Sequence, residues 1–157
     1  MVLTVNIGNG IVERSLTVLL ESKANPVLGD KGRYKTYLRL VGPIDSNFAD
    51  ISILSSLGET KVKPQVDYLN GRVEAGALVN INPGQAKTVT FNWKTKTDLL
   101  LNRNGEYRIY WRKQAGTTND DIKVNISFVG SKVQYPLGFI LTDKGTLNYN
   151  TTLFKDF

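Results

Sequence analysis

The sequence predicts an all-β protein: an immunoglobulin-like antiparallel β-sandwich with a carboxy-terminal strand extension. Three observations predict it. Apolar and polar residues alternate with period two along most of the chain, and clusters of Gly, Pro, Asn and Asp interrupt the alternation at short intervals. No long window places apolar residues at i, i+3, i+4 and i+7, the repeat an amphipathic helix needs. At 157 residues the chain reads as one domain, 1–157, because a single core usually serves about 100–200 residues.

The elements follow in order. "VLTVNI" (2–7) is a first strand, and "GNG" (8–10) is a turn where positive φ costs little. "VERSLTVLLESK" (12–23) places Leu16, Val18 and Leu20 on one face and Ser15, Thr17 and Glu21 on the other. "NPVLGDKG" (25–32) has the composition of a loop. "GRYKTYLRLV" (32–41) is a strand ended by Gly42-Pro43, with Tyr34, Leu38 and Leu40 facing the core. "ADISILSSLG" (49–58) and the stretch 61–81 are less regular. In the latter, Asn70-Gly71 predicts a hairpin turn, and Pro64, which has no N–H to give a ladder, predicts an edge position.

"NPGQ" (82–85) is a turn. "AKTVTFNWK" (86–94) alternates most cleanly, with Val89, Phe91 and Trp93 inward. "TKTDLLLNRNG" (95–105) reads as a loop with at most one helical turn, "GEYRIYWRKQ" (105–114) as a strand, and "AGTTNDD" (115–121) as a polar turn. "IKVNISFVG" (122–130) puts Ile122, Val124, Ile126 and Phe128 on one side. Segment 131–157 adds two strand candidates beyond the basic set.

Composition narrows the chemistry. With no histidine and no cysteine, the chain lacks Ser-His and Cys-His nucleophiles, the usual zinc ligand sets, thiol redox chemistry and disulfides. Asp120 and Asp121 sit in a turn with Asn119 and could hold calcium, but calcium takes about six oxygen ligands and a capped turn is the default reading; carboxylates elsewhere are spread singly. No catalytic residue, metal ligand or cofactor is therefore assigned. The net charge of +6 comes from scattered rather than clustered Lys and Arg, so nucleic acid is not expected as a partner. No apolar run reaches the length of a membrane-spanning helix.

One constellation stands out. Alternation sets Arg33, Lys35, Tyr37 and Arg39 on one face of their strand, and Arg108, Tyr110 and Arg112 opposite Tyr107, Ile109 and Trp111 in theirs. If the two strands are neighbours in one sheet, these seven residues form a basic, tyrosine-containing patch. Guanidinium forks and stacked phenols suit a glycan or polyanion. The competing reading is a solvated sheet face on which long basic side chains cover tyrosine rings, and cross-strand stacking alone accounts for it.

The order of motifs resembles the carboxy-terminal sandwich of a bacterial envelope family, domain of unknown function 4012. "GRYKTYLRLVGPIDS" (32–46), "INPGQAKTVTFNW" (81–93), "EYRIYWRKQAGT" (106–117) and "LNYNTTLFKD" (147–156) carry the resemblance. It implies an extracellular or cell-envelope domain on a larger membrane-anchored protein, and it brings no catalytic residues. The sequence thus points to a non-enzymatic structural or adhesive module of a bacterial cell-surface protein. The alternative is a glycan- or polyanion-binding module using the basic tyrosine face. Its partner would be a protein or a surface polysaccharide, with a membrane involved only through an anchor segment outside 1–157.

Overall fold

The computed structural model describes residues 1–96, 107–110, 120–128 and 134–153. Strands dominate it: β1 (Val2–Gly8), β2 (Ile11–Glu21), β3 (Tyr34–Pro43), β4 (Asn47–Phe48), β5 (Ile51–Ser55), β6 (Gly58–Val62), β7 (Gln65–Leu69), β8 (Arg72–Ile81), β9 (Ala86–Lys96), β10 (Asp120–Phe128), β11 (Ile140–Leu141) and β12 (Thr146–Leu153). One 3-10 segment, Pro26–Gly32, precedes β3. The fold is all-β, with antiparallel sheets in a sandwich-like arrangement. No helix among the described residues is long and apolar enough to cross a membrane.

The chain forms two compact units, Thr17–Thr95 and a second built from Met1–Leu16 with Lys96–Phe157. In the first, β3, β8 and β7 make a three-stranded sheet in that order. β8 and β7 are a hairpin closed by Asn70 and Gly71, at φ of 47° and 75°, as the two-residue turn requires. Pro64 lies just before β7, an edge strand whose residues are all exposed. A second sheet pairs β5 with β9 and β6, and β4 with β9. Val73, Ala75, Val79 and Ile81 of β8 are buried, as are Ile51 and the inward row Val89, Phe91 and Trp93 of β9. The clean alternation of 86–94 is therefore a core-facing strand. At its far end Thr95 is buried too, with its hydroxyl 3.1 Å from that of Ser46, so the polar pair is satisfied internally.

The turn Asn82–Gln85 closes with Gln85 N–H donating to Asn82 O at 3.1 Å. Pro83 in its second position and Gly84 at φ +71° in its third make it a type II turn. A Cβ on Gly84 would sit 2.8 Å from Pro26 Cγ, so this turn packs tightly on the 3-10 segment. That segment is better ordered than loop composition suggests: Asn25 Oδ1 accepts from Val27 N–H at 3.0 Å, and Pro26 starts the first turn.

In the other unit β11, β12, β10 and β1 are successive neighbours. β12 supplies the extra strand foreseen after residue 131 and runs antiparallel to β10 from Thr146 to Leu153. β1 pairs with β10 in parallel, Val2 opposite Lys123 through Ile7 opposite Phe128. The long stretch between them permits this, since parallel neighbours need a crossover rather than a hairpin. Leu3, Val5, Val12, Ile122, Val124 and Leu147 are the buried apolar residues among those described in this unit. Asp120 and Asp121 open β10 instead of lying in the expected turn, because they pair with Leu153 and Thr152 of β12. The loop read at 95–105 is strand as far as Lys96, and its remainder lies outside the described residues.

Candidate functional site

The basic tyrosine face is built on β3. Its inner row, Thr36, Leu38, Leu40 and Gly42, is buried or half-buried, whereas Lys35, Tyr37, Arg39 and Val41 point outward. Tyr34, assigned to the core by alternation, is 40% exposed. It is the first residue of β3 and pairs with Ile81, the last residue of β8, so the ladder ends there.

Strand pairing decides what the outer row meets. β3 pairs along its whole length with β8: Lys35 lies opposite Asn80, Tyr37 opposite Leu78, Arg39 opposite Gly76 and Val41 opposite Glu74. The Tyr37 ring lies across Gly76, where a Cβ would come within 2.6 Å of the ring and hydroxyl. Only glycine admits the ring there, and the aromatic shields the bare backbone in return. The Tyr37 hydroxyl points on toward Gln65 Oε1 of β7, at 3.4 Å. Arg39 Nη1 is 3.1 Å from Glu74 Oε2, and its guanidinium stands 5.9 Å from the Tyr37 ring centre. Asp67 lies opposite Glu74, so carboxylates share this surface with the cations.

Arg33 is outside β3 and caps the 3-10 segment, paired with Asp30 and donating through Nε to Asn82 Oδ1 at 3.2 Å. Arg108 and Tyr110 belong to the other unit, and the four described residues Tyr107–Tyr110 are not in a strand. Arg112, like Trp111, lies outside the described residues. One edge of the 32–41 strand pairs with β8, and most of the 105–114 segment expected beside it lies outside the described residues. Gly76 of β8, without a side chain, leaves the space the Tyr37 ring occupies.

Sequence reasoning missed a second arginine–tyrosine contact. Arg14 Nε donates to the Tyr107 hydroxyl at 2.7 Å, with the guanidinium 5.2 Å from the ring centre, and Nη1 reaches Val12 O at 3.3 Å. Burial raises the Tyr107 phenol above its ordinary range, while the charge and hydrogen bond of Arg14 pull the other way. The signal was legible in "VERSLTV": Arg14 falls in the same register as Val12, Leu16 and Val18, a cation in an apolar row.

An open hollow of about 440 Å³ in the same unit is lined by Met1, Asp121, Lys123, Asn150 and Thr152 among others. Its single carboxylate, Asp121, accepts from Thr152 Oγ1 at 2.8 Å. Neither known family models nor curated proteins match the chain.

Proposed function

We propose that the protein is a non-enzymatic structural or adhesive module of a bacterial cell-surface protein, an immunoglobulin-like sandwich held outside the cytoplasm. Its partner is another protein or a surface polysaccharide. The observation that supports this reading is the self-contained outer face of β3. Arg39 is engaged by Glu74, and Tyr37 is spread over Gly76 toward Gln65. Groups that satisfy one another across strands hold a sheet together, and an anion would have to displace a carboxylate to reach Arg39.

Chromatography on immobilised heparin tests this against polyanion binding. The Arg39→Ala/Arg108→Ala variant is expected to keep the parent's melting temperature within a few degrees and to elute at nearly the same salt, lowered only by the lost net charge. Removing two exposed lysines of the other sheet of the Thr17–Thr95 unit, Lys61→Ala/Lys94→Ala, should lower it equally. A selective loss of retention in the arginine variant would overturn the structural reading of the β3 face and make that face the polyanion-binding surface.

A further inference from the structure

We infer that one end of the Thr17–Thr95 unit is an anionic-lipid contact surface, with apolar side chains that enter the interfacial layer of a bilayer. The inference goes beyond the module role proposed above, and it rests on what the topology collects at that end. β5 runs antiparallel to β9 with Leu54 opposite Thr88, so the turn after Ser55 lies beside the start of β9. The start of β9 follows the Asn82–Gln85 turn, on which the 3-10 segment packs. β3 begins at the same end, Tyr34 opposite Ile81. Three loop tips therefore share one end of the sandwich.

Each tip that projects carries an apolar residue where a polar one costs nothing. Val27 is 90% exposed, Leu57 97% and Leu28 52%. None hangs on a loose loop. Val27 and Leu28 N–H groups are bonded to the side chain and carbonyl of Asn25, each at 3.0 Å, and Leu57 N–H donates to Ser55 Oγ at 3.3 Å. A backbone fixed by hydrogen bonds displays its side chain without the ordering cost that a mobile loop would bring to binding.

Charge selects the occupant. Lys23, Lys31, Lys35 and Lys87 stand on the same loops and strand starts, against Glu21 and Glu59, with Asp30 already paired to Arg33. Apolar tips ringed by excess lysine match a surface that is oily inside and negative outside. Apolar area draws the tips into the acyl boundary, while each lysine near an anionic headgroup adds attraction.

Flotation with vesicles tests it. With phosphatidylglycerol–phosphatidylcholine vesicles the protein is expected to float with the lipid, and with phosphatidylcholine alone to float much less. Val27→Ser/Leu57→Ser should weaken partitioning about tenfold or more, because both side chains leave water on insertion. Lys23→Ala/Lys31→Ala should weaken it only on the anionic vesicles. Both positions are exposed, so an unchanged melting curve will show the variants folded. Equal flotation of parent and Val27→Ser/Leu57→Ser, or no flotation of either, would overturn the inference. So would a concentration-dependent dimer in sedimentation that the same variant abolishes, since the tips would then contact a second copy. Arg39 and Arg108 are untouched in these variants, so this result and the heparin result fail independently.

Discussion

Two arginine–tyrosine pairs in this protein have the same chemistry and different consequences. Arg14 and Tyr107 meet through a 2.7 Å hydrogen bond, and the phenol is buried deeply enough to raise its pKa. Arg39 and Tyr37 meet on a wet sheet face, 5.9 Å from guanidinium to ring centre, with no bond between them and Glu74 as the arginine's closer partner. In water a cation over a ring is weakly held, because solvent and salt screen it and both side chains give up rotamer freedom. Away from water the same contact becomes obligatory, since a buried hydroxyl or charge left unpaired costs more than the bond itself returns. Depth, not residue type, decides which pair the fold depends on.

The sharpest way to break that comparison is to cut each pair at its arginine. Arg14→Ala is expected to lower unfolding free energy by about 1–3 kcal/mol, the cost of a part-buried hydroxyl that has lost a charged partner. Urea denaturation measures it. Adding Arg14→Ala to Tyr107→Phe should cost clearly less than adding it to the parent, because the hydroxyl that needs the donor is already gone. If Arg14→Ala destabilises no more than Arg39→Ala does, the distinction between the two pairs collapses.

A titration sharpens it further. Tyr107 is raised above the ordinary phenol value of 10.0 by burial, against the opposing influence of Arg14. The neutral phenol is the form the fold favours, so its contribution to stability is full below about pH 10 and is lost as pH rises through the folded pKa. Phenolate absorbance should show a late-ionising step from Tyr107. That late step should disappear in Tyr107→Phe and move higher still in Arg14→Ala, where the charge that favours phenolate is missing. A late step that survives in Tyr107→Phe would place the perturbation on another residue.

Local chemistry was the legible part of the fold. Val89, Phe91 and Trp93 announce a half-buried strand by spacing alone, and Asn70-Gly71 and Asn82–Gln85 announce their turns by which residues tolerate positive φ. Strand partners were not legible, because alternation says which side of a strand is wet and nothing about which strand lies beside it. Hence Lys35, Tyr37 and Arg39 do share an exposed face, as read, while the neighbour described beside them is β8, a pairing the alternation did not announce. Arg33 was lost from the row for a different reason: it follows a 3-10 segment whose end it caps, and capping removed it from the strand. The parallel pairing of β1 with β10 joins residues more than a hundred positions apart, and no local pattern encodes such a contact.

The smallest expected effect belongs to the exposed pair itself. Arg39 is 58% exposed in its side chain, so the Coulomb attraction to Glu74 at 3.1 Å acts largely through solvent. A double-mutant cycle with Arg39→Ala and Glu74→Ala should give a coupling energy of about 0.2–1 kcal/mol, shrinking toward zero as salt is raised. One feature argues for the upper half of that range: Asp67 faces Glu74 across the strands, and like charges so placed repel. Arg39 offsets that repulsion as well as pairing with Glu74, so Arg39→Ala should cost more in the parent than in Asp67→Asn. Equal costs in the two backgrounds would show that the opposed carboxylates are already screened by water, and that the outer face of β3 carries its charges without using them.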